Sequence, residues 1–122
     1  MLKNKPTVVI GASPNKDRYS YLATRSLKKH GFTVYPIGIH NGEIDGLTLI
    51  TDKPLLENID TVTLYVGPKN QPFWIEYILA LKPKRIIFNP GTENPEFQTL
   101  AESAGIEVLE ACTLVMLSIK EY

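Results

Sequence analysis

Cysteine is almost absent from this sequence of 122 residues, since Cys112 is the only one. A single cysteine excludes an internal disulfide, and His30 and His40 are too few and too far from it to complete a zinc-ligand spacing. The sequence therefore gives metal chemistry little support, and we expect no metal site.

An excess of charge of one sign is also lacking, because Lys plus Arg and Asp plus Glu both number 13. No net field therefore attracts nucleic acid or an anionic membrane, and any anion site must be local. The longest apolar stretches, such as 8–12 and 106–108, are far shorter than the ~20 residues of a membrane span. The start MLKNKPT has no signal-peptide core. We expect a soluble, cytoplasmic protein that binds neither nucleic acid nor a membrane.

The length suits a single domain spanning residues 1–122, because a chain of this size buries roughly two thirds of its unfolded surface. Short β-branched runs that end near glycine alternate with segments of helical periodicity. Strands are predicted at 7–12, 32–39 (with an early end at Pro36), 61–67, 85–91 and 106–110. Helices are predicted at 20–30, from 70–72 to residue 82, at 94–105 and at 112–122. A polar loop at 40–46 and a short extended piece at 47–51 lie between the second and third strands.

Strands that alternate with helices at this spacing predict a Rossmann-like, doubly wound α/β fold of about five parallel strands with helices on both faces. In such a sheet, ligands bind outside the carboxyl ends of the strands, where the strand order reverses. This rule selects four loops, which follow Gly11, Gly38, Gly67 and Asn89.

The selected loops contain glycine or proline, and small residues let backbone N–H groups approach a phosphate closely. The first loop is the best phosphate candidate, because Ser13 adds a hydroxyl donor, and Lys16 and Arg18 offset the charge of a further phosphate. Turn formation alone would explain the glycine of any one loop. Four such loops at one sheet edge favour a nucleotide site.

A standard dinucleotide site has the pattern G-x-G-x-x-G and an acidic residue at the end of the second strand. Neither is present here, because residues 12–16 contain no further glycine, and the second strand ends in Gly38, Ile39 and His40 with no acidic residue before Glu43. Both departures count against NAD.

Three stretches of the sequence follow one another in a specific order: VVIGASPNKDRYSYLATRSLKKHGFTVYPIG, EIDG and FNPGTENPE. Their most specific parts are the start G-A-S-x-N, the second strand G-F-x-V-Y-P and the loop N-P-G-x-E-N. In this order and spacing they resemble the small stand-alone CoA-binding domain proteins, which are similar to the CoA-binding domain of the succinyl-CoA synthetase alpha subunit. The resemblance covers nearly the whole chain, and it implies a Rossmann-like domain that binds coenzyme A or an acyl-CoA through its nucleotide end.

The resemblance also implies where the coenzyme lies. The first loop and the start of the first helix would face the diphosphate or the ribose phosphate, the second and third loops would line the adenosine side, and the fourth loop would close the pocket. Together with the residue-based reading, this predicts the binding residues Gly11, Ala12, Ser13, Lys16, Arg18, Tyr19, Ser20, Gly38, His40, Gly67, Pro68, Lys69, Pro90 and Gly91.

No catalytic residue is predicted. The synthetases use a phosphorylated histidine in a second domain, and neither His30 nor His40 inherits that role. We therefore expect a non-catalytic binding or regulatory module. An NAD(P)-binding oxidoreductase fragment and a redox-sensing nucleotide-binding subunit stay open as alternatives.

Two features suit more than one role. The helix stripe with Trp74, Tyr77 and Ile78 suits either the core or an oligomer face, which leaves a homodimer or a partner subunit open. Cys112 suits either a buried packing role or a contact with the thiol arm of coenzyme A.

Overall fold

A computed structural model describes residues 3–122; Met1 and Leu2, which the single-domain prediction includes, lie outside the described residues. The strands are β1 (Thr7–Ile10), β2 (Val34–Ile37), β3 (Glu43–Ile44), β4 (Leu47–Thr48), β5 (Thr61–Leu64), β6 (Arg85–Phe88) and β7 (Glu107–Glu110). The helices are α1 (Tyr19–Lys29), the short 3-10 helix η1 (Pro68–Asn70), α2 (Pro72–Leu81), α3 (Pro95–Ser103) and α4 (Thr113–Ser118). Among the helices of residues 3–122, none has the length and apolar character needed to cross a membrane.

Five strands form one parallel sheet in the order β2-β1-β5-β6-β7. Counted along the chain within this sheet, the order is 2-1-3-4-5, which reverses direction beside the first strand. β2 lies on one side of β1, and β5 lies on the other. The loops that follow β1 and β5 therefore run in opposite directions and leave a space between these two strands. The predicted Rossmann-like α/β fold is confirmed.

Both faces of the sheet are covered by helices. Successive strand residues point to opposite faces, so Val8 and Ile86 belong to the core under α2 and α3, whereas Val9 and Ile87 belong to the core under α1 and α4. All four side chains are fully buried. A strand buried on both faces is apolar without alternation, which explains why the strand signal in the sequence is a continuous apolar run.

The second strand ends at Ile37, earlier than residue 39, as Pro36 indicated. Pro36 itself lies within β2 because this strand is at the sheet edge. Its carbonyl oxygen accepts a hydrogen bond from the Ile50 N–H (2.9 Å), on the side away from β1, so the missing proline N–H falls outside the ladder with β1.

The prediction of a polar loop at 40–46 is wrong for residues 43–44, because β3 lies there. It pairs as an antiparallel hairpin with β4, which lies within the predicted extended piece at 47–51. Asp45 and Gly46 connect the two strands with φ of +50° and +85°. Two consecutive left-handed residues form the type I′ geometry that the dipeptide Asp-Gly favours. The polar composition of the segment conceals this hairpin signal.

Burial raises the pKa of the phenols of Tyr65, Tyr77 and Tyr122. For Tyr77, burial acts first and the Asp52 carboxylate second, which raises the pKa from 10.0 to about 12. Folding therefore favours the protonated phenol, so this stabilisation is fully present below about pH 10 and is lost as the pH rises towards 12. We expect the free energy of unfolding, measured with urea, to fall between about pH 10 and about pH 12.

The variant Tyr77→Phe isolates this contribution because it has no phenol to ionise. It should lose less stability over the same pH interval than the parent protein, with Tyr19→Phe, at an exposed position, as the control. Identical losses for Tyr77→Phe and the parent protein would contradict the assignment to Tyr77.

Candidate functional site

A cleft of about 830 Å³ opens at the carboxyl ends of β1, β2, β5 and β6, beside the point where the strand order reverses. Its walls are the loops after these strands and the beginnings of α1, η1 and α2. The predicted binding residues that line it are Gly11, Ala12, Ser13, Arg18, Tyr19, Ser20, Gly38, His40, Gly67, Lys69, Pro90 and Gly91. Lys16 and Pro68 do not line it: Lys16 is exposed in the first loop, and Pro68 begins η1.

Gly11 and Gly38 are required by the packing of the loops against one another. A Cβ added at Gly38 would lie 2.1 Å from the carbonyl oxygen of Ala12. Gly11 has a φ of +93°, and a Cβ there would lie 2.8 Å from Cγ2 of Val66. The N–H groups of Gly11 and Ala12 both donate to the carbonyl oxygen of Ile37, at 2.9 and 3.0 Å. These two glycines therefore shape the cleft, and the two amides are already used within the sheet.

Gly67 differs from these two glycines. Its φ of −64° suits any residue, and a Cβ added there would meet no atom within 4 Å. No contact within the described chain therefore requires glycine at this position. The space in front of Gly67 belongs to the cleft, where a side chain would compete with a ligand.

The helices that begin near the cleft differ in how their N-termini are neutralised. A helix N-terminus carries about half a positive charge from its unpaired N–H groups. In α1, η1 and α2 the first turn has no acidic residue and no side-chain cap. In α3, the Asn94 side chain accepts a hydrogen bond from the Phe97 N–H (3.3 Å), and Glu96 lies in the first turn. The starts of α1 and of η1 and α2 are therefore the better anion sites.

In the fourth loop, a carboxylate of the protein itself accepts a backbone hydrogen bond. The Gly91 N–H donates to Oε1 of Glu93 at 2.8 Å. This loop lines the cleft, but its glycine amide is already paired with an anion. The fourth loop is therefore a weaker anion site than the first loop, which was predicted to be the best phosphate candidate.

The charged groups that line the cleft are cationic. Arg18 and Lys69 line it, and no aspartate or glutamate of residues 3–122 does so. Because the chain has equal numbers of acidic and basic residues, this distribution makes the cleft locally positive. A cleft of this kind attracts anionic ligands.

Gln71 fastens the third loop to the fourth, although its sequence context does not distinguish it from a surface glutamine. Its side chain is fully buried. The amide nitrogen donates to the carbonyl oxygens of Val66 (2.9 Å) and Thr92 (2.7 Å), and Oε1 accepts from Nδ2 of Asn94 (2.8 Å). Gln71 therefore holds the two loops at a fixed separation.

Asn89 performs a similar task below the cleft. Its Nδ2 donates to Oγ1 of Thr63 (2.7 Å) and to the carbonyl oxygen of Leu64 (2.9 Å), and its Oδ1 accepts from the Thr113 N–H (2.9 Å). The carboxyl ends of β5 and β6 are thereby tied to the start of α4. Cys112, which precedes α4, is partly buried and does not line the cleft.

The aromatic residues of α2 divide between core and cleft. Trp74, Tyr77 and Ile78 are buried in the core, which confirms one of the two roles predicted for that stripe. Phe73, which the sequence reading did not single out, is 63% exposed and lines the cleft beside Trp74. It lies outside the stripe that faces the sheet, and this position is the signal that could have identified it.

Comparison with known proteins gives one family. A family model described as the CoA binding domain matches residues 5–118. A crystal structure described as that of an uncharacterized protein is 49% identical, with a TM-score of 0.96, over 99% of this chain and 100% of that chain. A hypothetical protein from Pyrococcus horikoshii OT3 is 25% identical, with a TM-score of 0.85, over 96% of this chain and 84% of that one. No curated protein matches the chain.

A larger enzyme shares the fold. The dinucleotide-forming acetyl-coenzyme A synthetase 1 of Ca. Korarchaeum cryptofilum, solved with phosphate and ADP, is 22% identical with a TM-score of 0.70. The match covers 88% of this chain but 26% of the synthetase. At this identity the likeness shows the fold alone.

Proposed function

Because the chain belongs to the CoA binding domain family, we propose that its cleft binds coenzyme A or an acyl-CoA through the nucleotide end. The observation that carries the proposal is the cleft at the strand-order reversal, lined by Arg18 and Lys69 and by no carboxylate of the described residues. The diphosphate and the ribose phosphate of coenzyme A are anions that suit such a cleft.

The unneutralised start of α1 gives the diphosphate its place in this proposal. The diphosphate lies at the start of α1, near Ser13 and Ser20, and the adenosine lies on the side of Gly38 and Gly67. Pro90 and Gly91 form the closing wall. NAD fits less well, because residues 38–42, which directly follow β2, offer no carboxylate for a ribose diol.

We propose a binding or regulatory role without chemistry of its own. His40 is the histidine that lines the cleft, and the lining contributed by residues 3–122 offers it no carboxylate as a proton-relay partner. A cytoplasmic location and a homodimer or partner subunit stay predictions from the sequence.

Calorimetric titration with CoA, acetyl-CoA, NAD and NADP, each added separately to the same protein, tests the proposed function. We expect CoA and acetyl-CoA to bind with similar affinity, because both have the same nucleotide end, and NAD to bind much more weakly. Binding of NAD without binding of CoA would overturn the proposal and favour the oxidoreductase alternative.

Two cations of the first loop give a matched pair of variants. Arg18 lines the cleft and Lys16 does not. A hydrogen bond to a charged group contributes about 1.5–3 kcal/mol, so Arg18→Ala should raise the Kd for CoA by roughly tenfold or more. Lys16→Ala should leave the Kd within about twofold of the parent value. Equal effects of the two variants would show that charge near the loop, rather than contact in the cleft, determines affinity.

A further inference from the structure

Phe73 is an apolar side chain in an unusual place. It stands in the first turn of α2 with 63% of its surface exposed, whereas the neighbouring Trp74 is 4% exposed. Phe73 lines the same cleft as Arg18 and Lys69. Exposed aromatic surface on the wall of a cleft indicates a contact with a ligand rather than with the core.

The ring of Phe73 is held in place although it is exposed. The Lys53 ammonium lies 3.7 Å from the ring centroid, over one face. The indole of Trp74 meets the ring edge to face, with centroids 5.0 Å apart and an interplanar angle of 89°. Both are favourable aromatic geometries. They fix the orientation of the ring without burying it.

Lys53 is itself positioned by the segment around it. Its ammonium also donates a hydrogen bond to the carbonyl oxygen of Phe73. The next residue, Pro54, is tied to the same helix, because the Tyr77 hydroxyl donates to its carbonyl oxygen at 2.6 Å. The segment that contains Lys53 and Pro54 is therefore attached to α2 through two hydrogen bonds.

Tyr19 is the other strongly exposed aromatic residue that lines the cleft, with 71% exposure. Within residues 3–122 its ring has no aromatic or cationic partner. A ring that is already oriented loses less conformational freedom when a ligand stacks on it. Phe73 is therefore the better platform for a planar group.

We infer that the Phe73 ring, backed by Lys53, is the platform on which the adenine base of the bound nucleotide stacks. The inference rests on the proposed function, since it assigns one part of the coenzyme to one wall of the cleft. Every base presents a π face, and stacking on an aromatic side chain contributes substantially to nucleotide affinity. The exposed part of the ring offers that surface within the cleft that also contains the cations.

Calorimetric titration of Phe73→Ala and Phe73→Tyr with CoA and with ribose 5-diphosphate, which keeps the ribose and the diphosphate but lacks the base, tests this inference. Phe73→Ala should raise the Kd for CoA by about tenfold or more, whereas Phe73→Tyr should stay within about threefold of the parent. The Kd for ribose 5-diphosphate should be the same for Phe73→Ala and the parent, because that ligand has no base to stack. If Phe73 had only a structural role, Phe73→Ala would raise the Kd of both ligands.

The single tryptophan of the chain gives a second readout. Because Trp74 touches Phe73, CoA should change the Trp74 fluorescence in the parent protein, and ribose 5-diphosphate should leave it unchanged. CoA binding to Phe73→Ala with the parent affinity would overturn the inference while the proposed function stands. A parent protein that does not bind CoA would overturn the proposed function, and the inference with it.

Discussion

Gly38→Ala is expected to lower the free energy of unfolding by at least about 3 kcal/mol, or to prevent folding, because the added Cβ would lie 2.1 Å from the carbonyl oxygen of Ala12. Overpacking usually costs about 1–3 kcal/mol when a side chain can move aside. Here the added Cβ meets a backbone atom, which cannot move aside like a side chain. Ala12 is also held by the hydrogen bond that its N–H donates to the carbonyl oxygen of Ile37. Urea unfolding followed by far-UV circular dichroism measures the loss.

Gly67→Ala is the matched control, since it adds the same methyl group to another glycine of the cleft. With a φ of −64° and no atom within 4 Å of the new Cβ, it should unfold within about 0.5 kcal/mol of the parent. It should nevertheless weaken CoA binding, because the methyl group enters the cleft. If Gly38→Ala were as stable as Gly67→Ala, the first two loops would have to move apart at little cost. That result would contradict the claim that their close packing requires glycine at position 38.

The sheet and the edge at which the cleft lies could be predicted from the sequence. β1 and β6 are buried on both faces, so each produces a short apolar run that cannot be confused with an amphipathic segment. Their alternation with helices restricts the topology to parallel crossovers, and the reversal of strand order then places the cleft.

The reason why each loop position has a glycine could not be predicted in the same way. Gly11 and Gly38 attract attention as phosphate-loop residues, yet their packing against Val66 and Ala12 is sufficient reason for glycine. Gly67 has no such reason within the described chain. The distinction depends on which backbone segments approach each other in space, and no local pattern contains that information.

Residues whose role arises from tertiary contacts were missed for the same reason. Gln71 follows Lys69 and Asn70 in a polar segment, where a glutamine is typical of the surface. It becomes buried only because the loops after β5 and β6 meet around it. Helical periodicity predicts that Phe73 lies outside the buried stripe of α2. Its role also depends on the contact with Lys53, which is distant in sequence, so the sequence alone does not indicate it.

Gln71→Leu is expected to lower the free energy of unfolding by about 2–4 kcal/mol, because leaving a buried polar group without a partner costs about 1–3 kcal/mol. The carbonyl oxygens of Val66 and Thr92 and the amide of Asn94 all lose their partner, while the new side chain has nearly the same volume. The third and fourth loops then separate, so the Kd for CoA should rise as well. Urea unfolding and calorimetric titration of the same protein measure the two effects.

Gln98→Leu is the control, because Gln98 is only partly buried and its hydrogen bonds to the Asn94 N–H and to Glu110 lie near the surface. It should cost less than about 1 kcal/mol and leave CoA binding unchanged, since Gln98 does not line the cleft. Equal losses in the two variants would mean that helix α3, rather than the loop junction, is the sensitive element. Gln71 contributes to the cleft only through the two loops that it joins. A Gln71→Leu protein that is destabilised but binds CoA with the parent affinity would therefore show that the relative position of these loops does not determine CoA affinity.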